Sequence, residues 1–248
     1  MKFSEQRLVV LDADGTTLNA FDAIEKTFSH HRMALGDLER FQKRHNIFKY
    51  LGGLKEFPSN LRKQINKKQR RALIDTLTQV YREEATLYNA MAAMIQRLID
   101  EPRVRVGVVS RNITLEPVAT LKYIYRRNGV DPDGFDFFVH LPLKQDKAGS
   151  FRDIRDRLNV NPACSYACGD ERKDFSAALA CGMHPFMVSY GFESFLRLER
   201  RIGVPRELIS VSPEQLRDRL LHAVGVAGTR TASTAQPAER RFGLEAVG

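Results

Sequence analysis

The apolar positions of this chain follow two rhythms. Short, nearly unbroken apolar runs occur at Arg7 to Leu11 (RLVVL), Arg103 to Val109 (RVRVGVV), Phe135 to Leu141 (FDFFVHL), Ser165 to Cys168, Pro185 to Ser189 and Leu208 to Val211. Runs this short, several of them closed by Gly, Asp or Ser, predict strands buried on both faces. Between them, apolar residues recur three or four apart over Ala92 to Asp100, Leu115 to Arg127, Gly149 to Leu158, Phe175 to Ala180 and Pro213 to Val224. That spacing lines one face of a helix. Asn128-Gly129 stops the second helix, and Ser212-Pro213 opens the last as an N-cap followed by proline. The alternation predicts an α/β fold: a Rossmann-like parallel sheet core with helices on both faces.

The alternation breaks between about residues 20 and 90. Helical spacing covers Asp37 to Leu51 and Lys67 to Leu87, the latter with Leu73, Leu77, Val80 and Tyr81 on one face. Gly52, Gly53 and Pro58 mark a loop between them, and no strand pattern is visible. An inserted all-helical cap domain is therefore expected at 20–90, with the α/β core built from 1–19 and 91–224. Residues 225–248 are small and polar, a composition that cannot bury a core, and predict a disordered tail.

Hydrophobic residues make up 43% and charged residues 28% of the 248, the balance of an ordinary globular protein. No apolar run is long enough to span a bilayer, and Met1 to Arg7 carries no apolar leader stretch. No membrane partner and a cytoplasmic location are expected. Cys164, Cys168 and Cys181 match no zinc spacing and read as reduced thiols. The net charge of +9 favours anionic partners: phosphate esters, nucleic acid or acidic surfaces. Basic residues crowd Phe41 to Arg71, with Phe41, Phe48, Tyr50 and Phe57 interleaved. Such a mixture could stack bases and hold phosphates, although amphipathic helices bury aromatics for ordinary reasons.

The chemistry concentrates at strand ends, where open parallel sheets bind ligands. Asp12-Ala13-Asp14-Gly15-Thr16 follows the first strand. If the pleat continued, Asp12 and Asp14 would face the same pocket, and Gly15 would let the backbone turn close to a ligand. A plain Asp/Gly turn explains the same residues. Gly169-Asp170-Glu171-Arg172-Lys173-Asp174 follows another strand; its acids suit a hard cation such as magnesium, or equally the capping of the next helix. Ser110, Arg111 and Asn112 end the second long strand, where a hydroxyl and backbone N–H groups make a phosphate cradle. Lys144 and Lys147 lie ahead of the next helix, and either could neutralise a phosphate.

Taken in order, Leu8 to Thr16 (LVVLDADGT), Val108 to Ser110 (VVS), Lys147 and Gly169 to Asp174 (GDERKD) resemble the four motifs of the haloacid dehalogenase superfamily. The resemblance spans about Arg7 to Tyr190 and is nearest to phosphoglycolate phosphatase-like members. The first and fourth motifs are specific, the second and third loose. It implies Asp12 as nucleophile, forming an aspartyl-phosphate, and Asp14 as general acid and then base. It implies a magnesium ion held by Asp12, the Asp14 carbonyl and Asp170, with Asp174 in support. Gly15, Thr16, Ser110, Arg111 and Lys147 would bind the substrate phosphate, and the cap would close over the site. Dehalogenation of carbon needs no acid at the position of Asp14, so phosphoryl chemistry is favoured.

The resemblance has loose ends. Thr17 stands where an apolar residue is usual and could alter the turn or face the cap. Lys147 is preferred to Lys144 for its distance from the helix end. His30-His31 could meet substrate or solvent, and Tyr190-Gly191-Phe192 could line the pocket mouth or simply pack. The expected function is hydrolysis of a small phosphorylated substrate, phosphoglycolate-like or a sugar phosphate. A phosphomutase, or a nucleic-acid end-processing phosphatase using the basic run, are the alternatives. Oligomeric state is not legible.

Overall fold

The computed structural model describes residues 2–32 and 67–226. The expected helix at Asp37 to Leu51, the loop at Gly52, Gly53 and Pro58, most of the basic run, and the tail beyond Val226 lie outside the described residues. In chain order the described elements are β1 (Arg7–Leu11), β2 (Leu18–Asn19), α1 (Ala20–His30), α2 (Lys67–Glu84), β3 (Thr86–Leu87) and α3 (Met91–Asp100). Next come β4 (Val104–Ser110), α4 (Pro117–Arg127), β5 (Phe137–His140), α5 (Lys147–Arg157), β6 (Ser165–Gly169) and α6 (Arg172–Ala180). Last are β7 (His184–Val188), β8 (Ile209–Ser210) and α7 (Pro213–Ala223).

Six strands form one sheet in the order β5-β4-β1-β6-β7-β8, every neighbouring pair parallel. All six runs picked out by hydrophobicity are in it. β1 is central, and its alternate residues feed two cores. Val9 and Leu11 join Val106 and Val108 under α3, α4 and α7, whereas Leu8 and Val10 join Val109 and Ala167 under α5 and α6. A strand covered on both faces has no polar side to show, which is why its sequence does not alternate. The last helix ends in a Schellman turn: Gly225 takes φ +68°, its N–H bonds to His222 O at 3.0 Å, and Val226 N–H reaches Leu221 O at 2.9 Å. The fold thus includes Gly225 and Val226, two residues that had been counted with the tail.

Between residues 20 and 90, α1 and α2 are helical as expected. Ile24, Phe28, Leu73, Leu77, Val80 and Tyr81 pack into the core beneath α3 and α4. One strand was missed. Thr86–Leu87 pairs antiparallel with Leu18–Asn19, so the two ends of the segment between them lie side by side, and the helix from Lys67 stops at Glu84. Two residues carry no period that a hydrophobicity pattern could reveal.

From β1 the chain crosses to β4 and β5 on one side, then returns to β6 on the other. The carboxyl ends of β4, β1 and β6 therefore border the crevice where the winding reverses, the place where open α/β sheets bind ligands. No described helix is long and apolar enough to cross a membrane.

Candidate active site

β1 ends at Leu11, and the chain then folds into a tight loop on the Ala13 carbonyl. The N–H groups of Thr16, Thr17 and Leu18 all donate to it, at 3.2, 2.9 and 2.9 Å. The pleat therefore does not set the directions of Asp12 and Asp14, as the sequence had suggested; this loop does. Gly15 sits in it at φ +80°, and an added Cβ would stand 2.2 Å from Asp170 Oδ2. Only glycine fits a left-handed turn pressed so closely against a second carboxylate. Thr17 does not face the cap. Its buried hydroxyl lies 2.7 Å from the Tyr125 hydroxyl on α4, inside the core.

Asp12 is 8% exposed at the floor of the crevice. Lys147 Nζ lies 2.8 Å from its Oδ1 and 2.6 Å from Asp174 Oδ1. Lys147, the first residue of α5, is 1% exposed, and a buried ammonium keeps its charge only when paired this way. Lys144 is exposed on the preceding loop. The two candidate lysines thus differ completely in burial. Asp174 caps the next helix, one of the parts considered for it, and also pairs with Lys147. Its Oδ2 accepts the Glu171 N–H at 3.1 Å, forming a reciprocal capping box for α6, while Oδ1 holds Lys147.

Asp170 is fully buried, its Oδ2 accepting the Phe192 N–H at 2.6 Å. Its Oδ1 has no hydrogen-bond partner among the described residues. Oxygens of Asp12, Asp170 and Asp174 gather within 4.8 Å of one another. An orphaned buried carboxylate oxygen in an all-oxygen cluster fits a hard divalent cation. The Asp14 side chain lies outside this cluster. Asn112 Nδ2 donates to its Oδ2 at 2.9 Å and Oδ1 at 3.3 Å.

Ser110 is 1% exposed and its Oγ accepts the Asn112 N–H at 3.1 Å, which leaves its own proton to donate. Arg111 is fixed beside the site by an ion pair with Glu171, and its Nε has no acceptor among the described residues. Gly15 and Thr16 are at the site, but their N–H groups are engaged within the loop, with Leu18 O at 3.0 Å and Ala13 O at 3.2 Å. The Thr16 hydroxyl is buried without a partner among the described residues. His30 is solvent-facing, and His31 is turned to Thr76 at 2.9 Å. Gly191 and Phe192 belong to the floor: a Cβ on Gly191 would meet Gly15 O at 2.2 Å and Asp170 Oδ2 at 2.4 Å. Asn112 was quoted in sequence only as a follower of Ser110, which carried no signal of contact with Asp14.

More negative charge than positive is buried here, and the carboxyls respond. Burial pushes Asp12 up from 3.8 to about 7, against the pull of Lys147 and with the help of Asp174. Burial raises Asp14 to about 6, against the hydrogen bond from Asn112. Asp170 rises well above its ordinary value, chiefly through burial and then through Glu171, Asp12 and Asp174. A carboxyl raised on folding favours the native state below its unfolded pKa, and that advantage is lost as pH rises through the folded one. Without divalent cation, unfolding free energy should therefore fall as pH climbs from 3.8 to about 7. Urea unfolding in chelator across that range checks it; a rise in stability over the same window would contradict the charge balance of the cluster.

No protein-family model matches the chain. No curated protein matches it either. Solved structures do. A haloacid dehalogenase-like protein of unknown function from Agrobacterium tumefaciens superposes with TM-score 0.62 at 13% identity, over 89% of this chain and 99% of its own. A haloacid dehalogenase-like family hydrolase from Streptococcus pneumoniae gives TM-score 0.58 at 14% identity, over 87% and 99%. The fold is that of the haloacid dehalogenase-like proteins. A protein from Haemophilus somnus described as a predicted phosphoglycolate phosphatase shares this haloacid dehalogenase-like fold, with TM-score 0.60 at 14% identity over 88% and 98%.

Proposed function

We propose that this protein is a magnesium-dependent phosphatase acting on a small anionic phosphomonoester, of the phosphoglycolate or sugar-phosphate class. The observation that carries the reading is the buried Asp12 carboxylate, held by Lys147 at 2.8 Å at the winding reversal of the sheet. In this reading Asp12 attacks phosphorus and the bond to the ester oxygen breaks. Asp14 supplies the proton to the departing alcohol. Asp14 then accepts a proton from the water that attacks the aspartyl-phosphate, which frees phosphate and regenerates Asp12. Ser110 and Arg111 donate to the phosphoryl oxygens, and Lys147 offsets their charge. Gly15 and Thr16 shape the loop rather than offer their amides.

The residues fit a divalent cation: Asp12, Asp170 and the Asp14 carbonyl would hold it, and Asp174 would support it through Lys147. Magnesium there would offset the charge that collects between the carboxylates and the phosphoryl group. Residues 20–90 would form a cap over the core of 1–19 and 91–224, hinged where Leu18–Asn19 and Thr86–Leu87 pair. The structures described as hydrolases and phosphatases support the activity class by shared fold alone.

Phosphate release from a panel of phosphomonoesters, with magnesium and with chelator, tests the reading. Release that needs magnesium is expected, and the panel ranks substrates. Transfer to a sugar phosphate in place of release would identify a phosphomutase. Release from no ester would overturn the hydrolase reading.

A further inference from the structure

An ion pair crosses the crevice beside Asp12. Arg111 follows the last residue of β4, and Glu171 lies just past the end of β6. β1 runs between those two strands, so the contact of Arg111 Nη2 with Glu171 Oε2 bridges the strand ends on either side of Asp12. The Arg111 side chain is 8% exposed, and its Nε has no acceptor among the described residues. Glu171 thus takes one nitrogen of the guanidinium and leaves the others to an incoming anion. Glu171 is itself firmly seated as the N-cap of α6. Its N–H donates to Asp174 Oδ2 at 3.1 Å, and its carbonyl accepts the Asp174 N–H at 3.0 Å. The other oxygen of Asp174 holds Lys147 at 2.6 Å. One residue therefore stands behind both cations of the site, behind Arg111 through its side chain and behind Lys147 through its backbone and Asp174.

We propose that Glu171 is a positioning residue for the phosphoryl group: its carboxylate sets the Arg111 guanidinium across the crevice before substrate arrives. The proposal rests on the phosphatase reading above. An unrestrained arginine samples many rotamers, and its planar fork matches a phosphate only when its direction is fixed. A donor set in advance needs no reorganisation as charge gathers on the phosphoryl oxygens. The Glu171 side chain acts on turnover through Arg111, whereas its backbone serves Asp174 whatever residue stands at 171.

A double-mutant cycle separates this role from a structural one. Arg111→Ala should lower kcat/KM for the best ester of the panel by about 10²-fold. Glu171→Gln keeps the length of the side chain and an oxygen for the capping box, and should lower kcat/KM about 10-fold in saturating magnesium. In the Arg111→Ala background the same substitution should cost less than about 2-fold. A weakened cap of α6, or a changed charge beside Asp170, would cost the same with or without Arg111. Glu171→Asp keeps the charge and a preferred N-cap but shortens the reach to Arg111. It serves in the same cycle if Glu171→Gln shows no cooperative thermal transition. Equal losses in the two backgrounds, or the absence of a loss in either single variant, overturn the role of Glu171 and leave the phosphatase reading intact. So does a gain from Glu171→Gln, which would mark Glu171 as a competitor of phosphate for Arg111. A wild-type protein that releases phosphate from no ester overturns that reading, and this proposal with it.

Discussion

Asp12→Asn is expected to abolish phosphate release, by about 10⁴-fold or more, the scale on which removal of an attacking group acts. The substitution is nearly isosteric and leaves Lys147 paired with Asp174 at 2.6 Å, so the fold should survive. Stability should move the other way from activity. Asp12 and Asp174 share one buried ammonium, the Asp170 carboxylate gathers beside them, and burial has raised Asp12 to about 7. Each unit of such a shift is worth about 1.4 kcal/mol, so removing one charge should stabilise the cation-free protein by about 4 kcal/mol at pH 8. The stabilisation conferred by magnesium should shrink in the same variant, because a ligand raises stability by its binding free energy alone. Phosphate release and urea unfolding, each with magnesium and with chelator, check both halves. An active Asp12→Asn protein would sink the nucleophile assignment. An inactive one that is also less stable without cation would contradict the charge balance described for the crevice.

The second large effect separates the two candidate lysines. Lys147→Met leaves the buried carboxylates with no ammonium among them. Breaking a buried ion pair by removing one partner costs about 3–5 kcal/mol, and loss of a preorganised cation at the reacting phosphoryl group costs about 10²–10³-fold in turnover. Lys144→Ala, on an exposed loop, should stay within about 0.5 kcal/mol of wild type, with its turnover kept. Chemical unfolding and turnover of both variants in magnesium decide the matter. The opposite ranking, with Lys144→Ala the damaged protein, would move the phosphate-charge role to Lys144.

Most of the scaffold was legible in the order of residues. Six apolar runs became the six strands of the main sheet, because a strand buried on both faces must be apolar throughout, and that leaves an unmistakable mark. The helices between them were legible for the same kind of reason, a three-to-four spacing that survives in the chain. Asp12, Ser110 and Asp170 could be located because strand ends are where parallel sheets place ligands. Boundaries were less certain. The helix whose spacing is visible from Gly149 begins at Lys147. The ribbon of Leu18–Asn19 with Thr86–Leu87 left no trace, since two residues have no period.

What the sequence determined by itself was the alternation of elements and the set of acids and hydroxyls at strand ends; these follow from local pattern and from where parallel sheets bind ligands. The tertiary structure decided everything that depends on two distant side chains meeting. It chose Lys147 over Lys144 by burying one between Asp12 and Asp174. It gave Asp174 a second task in the capping of α6. It placed Asn112, which follows Ser110 in the chain, against the Asp14 carboxyl at 2.9 Å. The physical reason is that periodicity reports which face of an element is covered, whereas a site depends on which atoms cover it, and that is fixed only when the elements pack.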